Sequence, residues 1–186
     1  LIQDVLQPMR ALYLRMPAVA TLVLAVGAGY LIGGIRSALV VCALTLFIAL
    51  SPWWDRALVT LYMATFGVII SCLIGFTVGT LCFQNKKSAA FMLGVCDIFQ
   101  TFPSFVYLIP VMMLFGITDT SVLIAVIVYA TIPATRYTIE GLRSVPVGLH
   151  EAATMSGVNK FQRLTKIEFP LAFPHMMLGL NQTIVF

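Results

Sequence analysis

Long stretches without a charged side chain constrain the fold of this 186-residue chain more than any other feature. A helix that crosses the hydrocarbon core of a bilayer needs about 20 mostly apolar residues, within a range of about 17–25. Four charge-free runs reach this length and a fifth is slightly short. The five runs are residues 16–35, 37–54, 57–85, 98–118 and 120–135. The sequence therefore predicts an integral membrane protein that crosses the bilayer several times.

The apolar runs are continuous and do not alternate between apolar and polar residues, which favours helices over barrel strands. Each span in lipid must also satisfy its own backbone hydrogen bonds, as a helix does. Composition agrees, because only 10% of the residues are charged, against roughly 25% in soluble domains. We therefore predict an all-α membrane protein, a polytopic helical bundle.

Two regions are expected along the chain. Residues 1–56 should form an N-terminal segment, with Leu1 to Arg15 as an interfacial amphipathic helix, followed by a first helical hairpin. Residues 57–186 should form the main transmembrane domain. Counted from His175, the last apolar run has 12 residues, about 18 Å of helix against a core about 30 Å thick. We therefore expect the chain to be truncated at the C-terminus, inside a span and inside an incomplete domain.

The segment 136–170 is the only long polar stretch, and it holds five of the eleven basic residues. Since basic residues are enriched in cytoplasmic loops, we place this segment in the cytoplasm. Its basic residues are Arg136, Arg143, Lys160, Arg163 and Lys166.

Local signals within this segment predict a helix, a turn and a second helix. Pro146 is tolerated in a first helical turn. Gly157 can end the helix, because glycine adopts positive φ at low cost. Asn159 can cap a second short helix that runs to Glu168 and ends before Pro170.

Here the sequence resembles the permeases of ATP-binding-cassette importers. Their cytoplasmic signature reads E-A-A, three residues, G, nine residues, I, one residue, L-P. This chain departs from it at one position, where Phe169 replaces Leu. The matching residues are Glu151, Ala152, Ala153, Gly157, Ile167 and Pro170.

This resemblance implies a type I importer permease fold in the bacterial cytoplasmic (inner) membrane. In that family the signature segment is the coupling helix, which docks on a separate ATPase subunit that holds ATP and Mg. The further partners implied are a second permease subunit, forming a homodimer, and an extracytoplasmic substrate-binding protein. The chain itself has no GxxxxGK[ST] phosphate loop, and we expect no cofactor or nucleic acid on it.

Residues 100–110 resemble the Q-T-x-P-x-F-V-Y-L-I-P segment of glycine betaine/proline and choline importer permeases. The resemblance covers residues 57–186. It implies transport of glycine betaine, choline, proline or a related osmolyte, in osmoprotection or amino-acid uptake. The sequence leaves open which of these quaternary ammonium or amino-acid solutes is carried.

The same segment supplies the candidates for the transport pathway. Prolines remove helical hydrogen bonds, and a span broken in this way tends to line a cavity. Aromatic rings can also face a quaternary ammonium ion. The candidate residues are Gln100, Pro103, Phe105, Tyr107 and Pro110.

Asp97 leaves a second function open, that of an ion-coupled secondary carrier, because carboxylates within membranes are often functional. We favour a structural role, as a helix cap or an interhelix partner. An enzyme is not expected, since the chain has no HExxH motif, paired carboxylates or catalytic or metal-binding constellation. The GxxxG pair Gly75/Gly79 would allow close helix approach. The four cysteines are interpreted as packing residues.

Overall fold

The computed structural model describes residues 2–185. Leu1, where the predicted interfacial helix begins, and Phe186, the last residue, lie outside the described residues. Helices cover nearly all of that range and it contains no strand, which confirms the all-α prediction. Contacts divide the chain into two compact units, residues 1–65 and 66–186. The helices are α1 (Ile2–Leu14), α2 (Ala18–Ala49), α3 (Trp54–Phe83), α4 (Lys86–Thr101), α5 (Phe105–Phe115), α6 (Asp119–Arg143), α7 (Val147–Met155), α8 (Lys160–Arg163) and α9 (Phe169–Val185), with a π-helical turn, Leu164–Glu168, between the last two.

Three of the described helices, α2, α3 and α6, are long and apolar enough to cross a membrane, but α2 reaches this length only across a break at Gly33 and Gly34. Helices α4 and α5 make a fourth candidate span as a pair bent by 88°. The fifth charge-free run is too short to span a membrane by itself, but the helix that contains it, α6, has 25 residues because it continues to Arg143. The multi-pass prediction is therefore confirmed.

Helix α2, in the first unit, is bent sharply at Gly33 and Gly34. Gly34 has φ 67° and ψ −161°, a backbone conformation that side chains other than glycine rarely adopt. A Cβ placed on Gly29 would lie 3.1 Å from Val41 Cγ2, although these residues would be about 18 Å apart in a straight helix. The two arms of α2 therefore fold against each other as a hairpin, with the turn just before Arg36.

The second unit is organised around α6, which contacts α4, α5 and α9. Small residues bring α3 close to the same helix. A Cβ added to Gly75 would lie 2.5 Å from Ala134 Cβ, and one added to Gly79 would lie 2.6 Å from Thr138 Cβ. The Gly75/Gly79 pair is thus a helix crossing of the small-xxx-small kind.

Helix α9 packs on α6 by the same means. A Cβ on Gly141 of α6 would lie 2.8 Å from His175 Cβ, and a Cβ on Gly179 of α9 would lie 2.8 Å from Tyr137 Cβ. Leu142, Ala172 and Met176 form a buried apolar cluster along this contact. The end of α6 and the start of α9 are therefore held together next to the segment that connects them.

The prediction that a helix ends before Pro170 is wrong. The helix that starts at Lys160 continues through the π-helical turn into α9, with Pro170 and Pro174 inside it. In an α-helix, a proline ring clashes with the carbonyl four residues earlier. The wider π turn shifts the hydrogen-bond ladder by one residue immediately before Pro170, so that Phe169 N–H donates to Leu164 O.

Candidate functional site

Helix α7, which carries the E-A-A residues, ends in a Schellman motif. Gly157 N–H donates to Thr154 O and Val158 N–H donates to Ala153 O, both at 3.1 Å. Gly157 has φ 71°, as this motif requires, so its predicted role as a helix stop is confirmed. Asn159 then caps α8 in a capping box with Gln162, which also agrees with the prediction.

The turn at Gly157 brings the two halves of the signature together. Ala152 and Ala153 of α7 line one open, mainly apolar hollow of about 540 Å³ with Ile167 and Pro170. These residues are separated in sequence by the turn and by α8. The signature therefore describes a surface, with Gly157 making the turn that forms it.

The remaining signature residue, Glu151, is exposed. Around it, α7 and α8 also expose large apolar side chains that no membrane span requires. Met155 is 91% exposed and Phe161 is 73% exposed, and Val147 is also exposed. Clustered exposed apolar side chains on a segment between spans are typical of a protein-protein contact surface.

A buried carboxylate fixes the geometry of this segment from the inside. The side chain of Glu168, in the π-helical turn, is only 2% exposed. Arg163 Nε–H of α8 donates to its Oε1 at 2.9 Å, and His150 Nδ1 of α7 lies 3.0 Å from the same oxygen. One carboxylate therefore joins α7 and α8 to the start of α9.

Sequence reasoning identified neither Glu168 nor His150 as part of a site. The available signal was the position of Glu168 between Ile167 and Phe169, where an acid interrupts an apolar pattern. Such an acid is buried only if it has a partner. The structure makes His150 a partner of Glu168.

A second polar cluster lies between α4 and α6. The Arg136 guanidinium donates through Nη1 to Asp97 and, at 3.0 Å, to Gln100 Oε1, and through Nε to Glu140 Oε1, also at 3.0 Å. Asp97 is thus an interhelix partner, as we favoured. Arg136 lies inside α6, whereas the sequence suggested that it begins the polar segment.

Tyr107 closes the break between α4 and α5. In a continuous helix, the carbonyl of Phe99 would accept a hydrogen bond from residue 103, but Pro103 has no N–H. The Tyr107 hydroxyl donates to Phe99 O at 2.5 Å instead. Its ring also stacks on Phe99 and lies 5.5 Å from the Tyr129 ring. This contact gives Tyr107 a structural role, and its pathway role stays a prediction.

The other pathway candidates occupy different environments. Pro103 lies in the break, while Pro110 lies within α5 without ending it. Phe105 is exposed and borders a small apolar cavity of about 220 Å³. Gln100 alone joins the Arg136 cluster. Among residues 2–185, no group of His, Cys, Asp and Glu side chains could hold a metal ion.

The described residues form a multi-pass helical unit, and signature residues from α7 and from around the start of α9 line one hollow on it. Residues 67–186 match the family model described as "Binding-protein-dependent transport system inner membrane component". The chain belongs to this family, and is therefore an inner-membrane transport component and not an enzyme.

Three relatives illustrate the similarity. The trimethylamine N-oxide transport system permease protein TmoV of Pelagibacter ubique is 89% identical over 186 residues, which cover 100% of this chain and 26% of that protein. TmoV of Ruegeria pomeroyi is 44% identical over 182 residues, which cover 98% of this chain and 28% of that protein. The glycine betaine/proline betaine permease ProW of Escherichia coli is 32% identical over 181 residues, covering 97% and 51%. The chain thus spans a quarter to a half of these proteins.

Proposed function

We propose that this chain is part of the permease subunit of an ATP-driven importer for trimethylamine N-oxide, glycine betaine or a related methylated osmolyte. The observation that carries this proposal is the surface formed by Ala152, Ala153, Ile167 and Pro170. These residues match a coupling signature in register and line one open hollow. The exposed apolar side chains of Leu149 and Leu171 line the same hollow.

In this proposal, α7 seats in a groove on a separate ATPase subunit. The small side chains of Ala152 and Ala153 permit close approach, and the exposed Glu151 offers a charge that sets the register. Glu168 directly precedes α9 and is bound by His150 of α7 and Arg163 of α8, so it transmits movement of α7 to α9. ATP and Mg belong on the ATPase, a second permease subunit completes the pathway, and a binding protein delivers the solute.

The substrate class is supported by the relatives. Permeases named for trimethylamine N-oxide and for glycine betaine both align with nearly the whole chain. Both solutes carry a nitrogen with three methyl groups and a nearby anionic oxygen, so one pathway suits both. Choline lacks the anionic oxygen and proline lacks the methyl groups, and we rank both below these two.

Uptake by cells tests the transport proposal. The full-length gene would be expressed with its ATPase and binding protein in cells that lack osmolyte uptake, and labelled trimethylamine N-oxide and glycine betaine would be followed. We expect uptake that disappears when the ATPase is hydrolysis-dead. Uptake that persists with the dead ATPase would favour the ion-coupled carrier and Asp97. No uptake with all partners present would contradict the substrate assignment.

Cross-linking tests the docking surface directly. Met155→Cys, in a full-length permease without its native cysteines, should cross-link to the ATPase, since Met155 is 91% exposed on α7. The matched control is Ile117→Cys, because Ile117 is 87% exposed but precedes the opposite end of α6. Cross-linking of Ile117→Cys and not Met155→Cys would reverse the proposed orientation.

A further inference from the structure

A polar cavity of about 320 Å³ lies between α4, α6 and α9, within the apolar helices of the second unit. It is lined by Gln100, Pro133, Arg136, Tyr137, Glu140 and Gln182. Ligand sites between the helices of bundles have volumes of roughly 300–1,000 Å³. The cavity is therefore large enough for one small solute.

The charges around this cavity do not balance. Arg136 is bound to two carboxylates, Asp97 and Glu140, so the cluster carries one negative charge in excess. The Arg136 side chain is still 32% exposed, which leaves part of the guanidinium open to the cavity. Charged groups among membrane helices are costly and mark solute or ion pathways more often than they serve stability.

The guanidinium has capacity for a further partner. Its Nε and Nη1 atoms make all the hydrogen bonds given above, and within the described part of the chain Nη2 has no acceptor. Nη2 carries two N–H groups, and hydrogen bonds from a guanidinium to an anionic oxygen are charge-assisted and strong. The Gln182 amide, which also lines the cavity, provides a second donor.

The same cavity also has groups that attract a cation. Glu140 uses only Oε1 toward Arg136, which leaves Oε2 for a cation. The Tyr137 ring lines the cavity next to it, and an aromatic face attracts a quaternary ammonium group. The cavity thus combines donors for an anionic oxygen with a carboxylate and a ring for a methylated nitrogen.

We propose that this cavity is a transient binding site for a small zwitterion with a methylated cationic nitrogen and an anionic oxygen. Arg136 Nη2 and Gln182 bind the oxygen, and Glu140 with Tyr137 faces the nitrogen. This inference rests on the proposed transport function and assigns it a solute site within the membrane subunit itself, separate from any binding protein.

The test uses the full-length permease–ATPase complex in nanodiscs, without nucleotide or binding protein. Labelled trimethylamine N-oxide is the probe. Tetramethylammonium, which lacks the oxygen, and trimethylacetate, which lacks the cation, are the competitors. We expect saturable binding that glycine betaine displaces at least about tenfold more effectively than either competitor, since each competitor loses one half of the contacts.

Two variants locate the site. Arg136→Lys keeps the charge but removes the paired donors, and Gln182→Ala removes the second donor, so each should weaken binding about tenfold. Matched controls are Arg143→Lys on the same helix and Asn181→Ala beside Gln182, because neither Arg143 nor Asn181 lines the cavity. Gln182→Ala keeps the test decisive if Arg136→Lys does not fold.

The outcomes separate this proposal from the transport function. Saturable binding weakened by both cavity variants and by neither control would support the site. Absence of binding to a complex that still transports in cells would overturn the site alone. Binding that both cavity variants leave unchanged would overturn its location, and equal displacement by tetramethylammonium would overturn the ligand class.

Discussion

Two clusters among the described residues each join an arginine to carboxylates, in opposite settings. The Glu168 side chain is 2% exposed and receives both Arg163 and His150 on one oxygen, whereas the Asp97 side chain is 60% exposed and shares Arg136 with Glu140. In the first cluster one acid has two nitrogen partners. In the second, one arginine has two acids and an adjoining cavity.

We call the buried Glu168 cluster, which connects helices, the closed joint, and the partly exposed Arg136 cluster, which can bind a solute, the open site. The Glu168 carboxylate is buried beneath Arg163 and His150 and links three consecutive helical pieces, so it suits the transmission of movement, although a cavity of about 670 Å³ borders the same residues. The Arg136 cluster has spare donors, excess negative charge and a cavity of about 320 Å³, so it suits reversible binding. The predictions that follow go from the largest expected effect to the smallest.

Removal of the closed joint should have the largest effect on stability. Glu168→Ala removes a buried carboxylate from Arg163, whose side chain is 32% exposed, and from His150, and loss of hydrogen bonds to a charged group costs about 3 kcal/mol. Thermal unfolding of the purified full-length permease would measure this. Glu151→Ala, an exposed acid on α7, is the control and should stay within about 0.5 kcal/mol of the parent. Equal effects of the two variants would contradict the assignment of Glu168.

The helix crossing that supports α6, and with it Arg136, comes next. Gly75→Ala would place a Cβ 2.5 Å from Ala134 Cβ and 2.9 Å from Thr135 N, which should cost about 1–3 kcal/mol through overpacking. Gly94→Ala on α4 meets nothing within 4 Å and should be neutral or stabilising, because alanine favours helices by about 1 kcal/mol. The same unfolding measurement compares them, and a Gly94→Ala variant less stable than Gly75→Ala would exclude this crossing.

A side chain at Gly157, in the turn that forms the signature surface, should lower stability through backbone strain alone. A Cβ at Gly157 meets nothing within 4 Å, but its φ of 71° is left-handed. Gly157→Ala should therefore lose about 1–2 kcal/mol. Gly148→Ala, within α7 and also free of contacts, should lose none. If thermal unfolding gives the two variants the same stability, the positive φ at Gly157 does not limit the stability of this turn.

The open site should tolerate loss of its exposed carboxylate. Asp97→Asn leaves Arg136 bound to Gln100 and Glu140, and exposed ion pairs contribute about 1 kcal/mol or less. We expect the smallest shift in the unfolding midpoint of the four. A loss as large as that of Glu168→Ala would remove the distinction between the two clusters.

Much of the fold could be predicted from the sequence because the relevant signals are local. Charge-free length predicts the spans, and Gly157 and Asn159 predict the turn and cap that the structure has. The spacing of the signature singles out four of the residues that line the hollow beside α7. The spans, the turn and the cap each depend on residues within one helix or turn.

The two clusters could not be predicted because they depend on tertiary contacts. Arg136 and Asp97 are 39 residues apart, and no local pattern pairs them. The continuation past Pro170 depends on a π-helical turn, which has no simple sequence signal. Tyr107 was a pathway candidate by its aromatic character, yet its hydroxyl replaces the hydrogen bond that Pro103 removes.

The most direct test of the central claim compares ATP hydrolysis with solute uptake in proteoliposomes that contain the full complex and binding protein. The variant is Gly157→Asp, at a position where an added Cβ meets no atom of this chain within 4 Å. Gly157→Ala, which also places a Cβ on this positive-φ turn, is the control that separates backbone strain from a lost partner contact. We predict an assembled complex that still hydrolyses ATP but has lost most uptake of labelled trimethylamine N-oxide. Uptake equal to that of the parent would contradict coupling through this surface.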